Sequence, residues 1–245
     1  VKHASYLFAF AVFLAAGPRP AAAQANRDAA EARVAYQQAN TGSAARGFRA
    51  ALAQQPTGFL GGAAFQPGYL RTFDGHTLLV PGLRYHAGLR LLEAQDSVEL
   101  DSTHFWPVSG LRGFDLGEAG IPDAPQRRFR ARLVKEGSAG TRREYVEVLT
   151  AIDAGPLLLA WLYAPAPEAT SNGKRPLVGT LLAGPGTVGT EPLRPLEPTE
   201  ASVLRLFGAR ADAVRTFASA QHLDYTRPAD IARMMDHYNR LAVVK

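Results

Sequence analysis

Residues 128–134 read Arg128-Phe129-Arg130-Ala131-Arg132-Leu133-Val134, with Phe129, Ala131 and Leu133 pointing one way and the arginines the other. That period of two is the pattern of a half-exposed strand, dry on one face and wet on the other. A small-residue bend, Gly137-Ser138-Ala139-Gly140-Thr141, follows, and then Tyr145-Val146-Glu147-Val148-Leu149-Thr150, whose branched and aromatic side chains suit a pleated surface. The two runs are expected to form a hairpin. Beyond a second bend at Asp153, Gly155 and Pro156, residues 157–163 are apolar without interruption. A run so short, bounded by turn residues, fits a strand covered on both faces. Burying each leucine in it contributes about 1.5 to 3 kcal/mol, which makes it the expected core strand.

The hairpin carries six arginines: Arg127, Arg128, Arg130, Arg132, Arg142 and Arg143. Their environment depends on register. If paired positions differ in parity, Arg130 or Arg132 faces Glu147 and the charges are partly neutralised across the strands; if they share parity, a bare basic stripe results. Clustered guanidinium groups bind phosphate and carboxylate in bidentate fashion, so these six residues are the candidate anion-binding site. The competing reading is a solvated face balanced by Glu136, Glu144 and Glu147.

Upstream, Asp74-Gly75 between extended runs marks another hairpin. Further strands are expected over residues 69–73, 77–80, 83–86, 89–94, 97–100, 111–116 and 177–182, with a Gly- and Pro-rich loop over 117–126. Strands at such spacing without intervening helices predict an antiparallel sheet. After residue 198 the pattern changes. Thr199 is a good N-cap for a helix over 200–207 closed by Gly208, and a second helix is expected over 211–220. In a third, Ile231, Met234, Met235, Tyr238, Leu241 and Ala242 form one apolar stripe, leaving Arg233, Asp236, His237 and Arg240 for the outer face.

The expected class is therefore α+β and mainly β: an antiparallel curled sheet, sandwich or partly open barrel, with two to three C-terminal helices packed on it. The chain divides into a leader over 1–24, an Ala-, Gln- and Arg-rich lead segment over 25–57 that is partly mobile, a β domain over 58–198 and a helical segment over 199–245.

The leader sets the expected compartment. Lys2 and His3 precede an apolar run over 6–16, then Gly17, Pro18 and Pro20, and small-x-small cleavage sites near Ala23 and Ala25. This is the pattern of a secretory signal peptide, and eleven apolar residues fall short of the roughly 20 that span a bilayer. The mature chain is expected to be secreted or periplasmic, or in the cell envelope, with no transmembrane helix. The chain has no cysteine, which excludes disulfides and a lipid-anchored cysteine. Its formal charge of +5 includes Lys2 and Arg19 of the leader, so the remaining excess is modest and implies no nucleic-acid partner.

Familiar catalytic patterns do not assemble in the sequence. His76, His86, His104, His222 and His237 form no His-Glu-x-x-His motif, and His222 with Asp224 reads as a helix-end cap. Glu136-Gly137-Ser138-Ala139-Gly140 lacks the first glycine of a nucleophile elbow and lies in a bend. The glycine-rich run over 183–190 has no lysine to hold a phosphate. No catalytic residue, metal or cofactor is assigned.

Phe65-Gln66-Pro67-Gly68-Tyr69 before Asp74-Gly75, Val80-Pro81-Gly82-Leu83-Arg84-Tyr85, Tyr145-Val146-Glu147-Val148-Leu149 and the tail His237-Tyr238-Asn239-Arg240-Leu241 together resemble a group of secreted proteins of unknown function from Bacteroidota-type bacteria. The resemblance covers residues 58–242, and its motifs are structural in character. It implies an envelope or secreted location and carries over no catalytic residue. The functional expectation is a non-enzymatic envelope-associated binding or structural protein whose partner is an anionic component, lipopolysaccharide or an acidic glycan. Alternatives are a secreted hydrolase acting on envelope glycans or peptides, which would bring two or more of His76, His86, His104, Asp74 and Asp101 together, and an outer-membrane β-barrel.

Overall fold

A computed structural model describes residues 21–96, 98–99, 102–117, 126–137, 140–170, 175–187 and 191–243. Residues 1–20 of the expected leader lie outside these, as do Ser138, Asp101 and most of the 117–126 loop.

Ten strands form one antiparallel sheet: β1 (Gln66–Arg71), β2 (Thr77–His86), β3 (Leu91–Gln95), β4 (Thr103–Trp106), β5 (Gly113–Leu116), β6 (Arg127–Lys135), β7 (Thr141–Val148), β8 (Leu158–Pro165), β9 (Leu177–Gly184) and β10 (Arg194–Pro195). Their spatial order, β10-β9-β8-β7-β6-β5-β1-β2-β3-β4, does not close. The fold is α+β and mainly β, with helices α1 (Ala21–Ala39), α2 (Gly42–Gln54), α3 (Glu200–Arg205), α4 (Ala211–Ala220) and α5 (Pro228–Val243) packed on the sheet.

Two elements differ from the sequence reading. Residues 77–86 form a single strand running through Pro81, because Pro81 falls where the β1–β2 register shifts between Gly68↔Val80 and Gln66↔Leu83 and the ladder makes no call on its missing N–H. The strand pairing with β3 is β4, at residues 103–106; of the strand expected over 97–100, Ser97 and Leu100 lie outside the described residues. Asp96 accepts the N–H groups of Val98 and Glu99 at 2.7 and 3.1 Å, and so turns the chain just before β4.

The sheet curls around an aromatic centre. Tyr85, Phe114, Phe129 and Tyr145 meet on one face, with Phe114 and Phe129 stacked at 4.7 Å. The curl brings the β2–β3 turn against the end of β8, where a Cβ on Gly88 would lie 2.9 Å from Pro165. On the other face a second core gathers Val134, Val146, Leu158, Ala160, Leu162, Leu182 and Leu193. Leu193 donates to the Leu133 carbonyl and accepts from the Lys135 N–H, at 2.8 and 2.9 Å, while the adjoining β10 pairs with β9. The segment thus pairs with the end of β6 through a parallel bridge, and the Leu193 side chain joins the core on the face of β6 that was expected to be wet.

The C-terminal helices bury Val203, Val214, Ile231, Met234 and Met235 against Leu159, Leu181 and Ala183 of β8 and β9. Thr199 caps α3 by accepting the Ser202 N–H at 3.3 Å. His222 ends α4 in the left-handed conformation, φ 51°, so that the Leu223 N–H reaches the Ala218 carbonyl at 2.9 Å. The lead segment forms α1 and α2, which lay Ala39, Ala45, Phe48 and Leu52 over Leu91 and Phe105. Asn40, between them, donates to the Phe105 carbonyl and accepts its N–H, both at 2.9 Å, and so occupies the free edge of β4.

Candidate functional site

The β6–β7 register shares parity, with Arg130 opposite Val146 and Arg132 opposite Glu144. Shared parity does not leave a bare stripe, because carboxylates arrive from outside the hairpin. Asp115 of β5, fully buried, takes Arg130 Nη1 at 2.6 Å and Arg71 Nε at 2.8 Å. Asp153, in the bend between β7 and β8, takes Arg130 Nε and, at 2.9 Å, Arg128 Nη1. Arg128 also donates to the carbonyls of Thr150 and Ala151. The result is one ionic chain, Arg71–Asp115–Arg130–Asp153–Arg128, running across β1, β5 and β6 into the bend. Burying such charges costs several kcal/mol per ion, which the mutual pairing offsets, so the network specifies geometry more than it adds net stability.

Arg132 is buried beside this chain and, among the described residues, donates to carbonyls: Ala131 at 3.1 Å, Asp153 at 2.8 Å and Gly186 at 3.4 Å. Burial, opposed by Asp153 and aided by Arg130, Arg112 and Arg143, pushes its guanidinium down to about 10. Arg142 pairs with Glu136 and Glu144, each at 2.5 Å. Arg143 is exposed and lies over the Phe73 ring, 5.9 Å from its centroid. The six arginines therefore do not converge on one surface.

Of the six, Arg127 lines a substantial cleft. It grips Glu147 in a fork, Nε to Oε1 at 2.8 Å and Nη2 to Oε2 at 2.7 Å, and Tyr163 donates its hydroxyl to Glu147 at 2.6 Å. Burial and then the Glu147 hydrogen bond push the Tyr163 phenol up to about 12. The Glu147 bond, against opposing burial, raises Arg127. One-third of the Arg127 side chain remains accessible at the cleft. The cleft holds about 670 Å³ between residues 57–61, the end of β8 and Arg175, Pro176 and Leu177. Arg175 is exposed and makes no ion pair among the described residues. Its lining offers guanidinium donors and apolar walls, which is chemistry for holding an anion.

Three of the five histidines that sequence reading set aside have partners for their rings. His86 is buried, accepts the Leu89 N–H on Nδ1 at 3.0 Å and reaches the Gln55 and Thr57 carbonyls through Nε2 at 2.9 and 3.0 Å. That geometry assigns the proton to Nε2. His104 Nε2 meets Asp96 at 3.1 Å, and Asp74 is held by the Thr72 hydroxyl. His237, expected on an outer face, stacks on Phe217 at 3.9 Å. Among the described residues no three His, Asp or Glu side chains are grouped to hold a metal ion, and no helix is long and apolar enough to cross a membrane.

The chain matches no protein-family model, no curated protein and no solved structure.

Proposed function

We propose that this protein is a non-enzymatic binding component of the bacterial cell envelope, exported by its leader, and that the cleft at Arg127 and Arg175 docks a phosphate or carboxylate group of an envelope component such as lipopolysaccharide or an acidic glycan. The observation that carries the reading is the contrast between Arg127 and its neighbours. Arg130 and Arg132 are committed to the interior, whereas Arg127, braced by Glu147 and Tyr163, lines an open cleft together with Arg175, which makes no ion pair among the described residues. A guanidinium held in place in this way loses little freedom when an anion arrives. The export pattern at residues 2–25 and the resemblance across residues 58–242 support the envelope setting.

The test is capture of the purified protein on immobilised lipopolysaccharide. Binding at low salt that fades as salt rises, and that Arg175→Glu abolishes, is the expected result. Capture indifferent to both salt and Arg175→Glu would overturn the reading.

A further inference from the structure

The lead helix and the β1–β2 hairpin line a separate, half-open pocket of about 140 Å³. Tyr36 of α1, Trp106 of β4 and Phe73 of the hairpin give it three aromatic walls, and Arg33 and Asp74 stand at its rim. Tyr36 and Trp106 lie 4.2 Å apart, ring to ring. Both walls are tied to the body of the protein. Asn40 pins the end of α1 to Phe105, next to Trp106, and the Tyr145 hydroxyl donates to the Pro107 carbonyl on its other side at 3.1 Å. The site is thus formed before any ligand enters, and binding does not have to order it.

We infer that this cavity is a binding site for a single neutral pyranose ring, the terminal sugar of a glycan. Its volume falls below the roughly 300 to 1,000 Å³ of pockets for drug-sized ligands, which suits a single ring held at the end of a longer chain. The rim carries one cation and one anion, so no net charge is demanded of the ligand. A purely apolar guest would leave the hydrogen-bonding groups of Arg33 and Asp74 unused. A quaternary ammonium would meet Arg33 at the rim and Arg143 already over the Phe73 ring. A pyranose satisfies every wall: its C–H face packs on the aromatic rings while its hydroxyls accept from the Arg33 guanidinium and donate to the Asp74 carboxylate. The inference is independent of the cleft at Arg127, which lies in a different part of the sheet.

The chain has two tryptophans, so in the full chain carrying Trp161→Phe the emission reports on Trp106 alone. Titration with glucose and with N-acetylglucosamine is expected to give a saturable emission change at millimolar sugar. Arg33→Ala, on the exposed side of α1 where folding does not depend on it, should weaken that binding about tenfold, as loss of a hydrogen bond from a charged donor does. Phe73→Leu should weaken it as well, while Arg175→Glu leaves it unchanged. No saturable response to either sugar, a response that survives Arg33→Ala intact, or tighter binding of tetramethylammonium than of the sugars would each overturn the assignment.

Discussion

Asn239 treats Leu157 as a neighbouring strand would: its Oδ1 accepts the Leu157 N–H at 2.9 Å and its Nδ2 donates to the Leu157 carbonyl at 2.8 Å. One turn earlier on α5, Asp236 accepts the Ala151 N–H at 2.8 Å. The last helix thus clamps the bend between β7 and β8 at both ends, and that bend delivers Asp153 to Arg128 and Arg130. Helix docking and the buried ionic chain are one mechanical unit.

Breaking the clamp should be expensive. Asn239→Leu keeps the bulk but strands two buried backbone groups, each costing about 1 to 3 kcal/mol. Urea denaturation should show a loss of roughly 2 to 4 kcal/mol. Gly155→Ala offers a second probe, since its Cβ would lie 2.7 Å from the Asn239 amide. A loss well under 1 kcal/mol for Asn239→Leu would show that the helix docks by its apolar stripe alone.

The ionic chain predicts strong non-additivity. Asp115→Asn leaves Arg130 buried with one of its two carboxylate partners and should cost about 3 to 5 kcal/mol, whereas Asp115→Leu combined with Arg130→Met should recover most of that loss. A double-mutant cycle in denaturant reads the coupling. Additive effects would mean that the two charges act independently.

Asn40 protects an edge. Asn40→Ala should free the Phe105 N–H and carbonyl on β4, destabilise by about 1 to 3 kcal/mol and expose a strand that pairs with other chains. Light scattering on mild warming should therefore show earlier, concentration-dependent aggregation than in the parent protein.

Alkaline pH should unfold the protein through its tyrosines. Tyr163 is raised to about 12, and Tyr85 and Tyr145 are raised further, in each case chiefly by burial. A phenol whose folded value lies above its unfolded value near 10 favours the native state fully below pH 10. That contribution fades as pH climbs through the folded value. For Tyr163 the window runs from about 10 to about 12. Of eight tyrosines, these three should remain protonated in an ultraviolet titration until the fold gives way. Ionisation of all eight as one class with the native circular dichroism intact would contradict the burial.

How far the fold was legible follows from the range of each signal. The antiparallel class, the β6–β7 hairpin, the core strand at 158–165 and the stripe of α5 are local patterns, because period, turn residues and caps act within a few positions of the chain. The same patterns could not place β4, where the turn depends on Asp96, nor show that α1 and α2 seal an edge, since a segment rich in alanine carries little apolar signal of its own.

The arginines mark the boundary most sharply. Residues 127–143 by themselves determined a hairpin with guanidinium groups on one face of β6. Whether that face met water was decided elsewhere: by Asp115 one strand over, by Asp153 held under α5, and by Leu193 returning across the sheet. Strand periodicity distinguishes two faces, but only the rest of the chain, arriving from tens of residues away, determines which of them is covered and which charges meet.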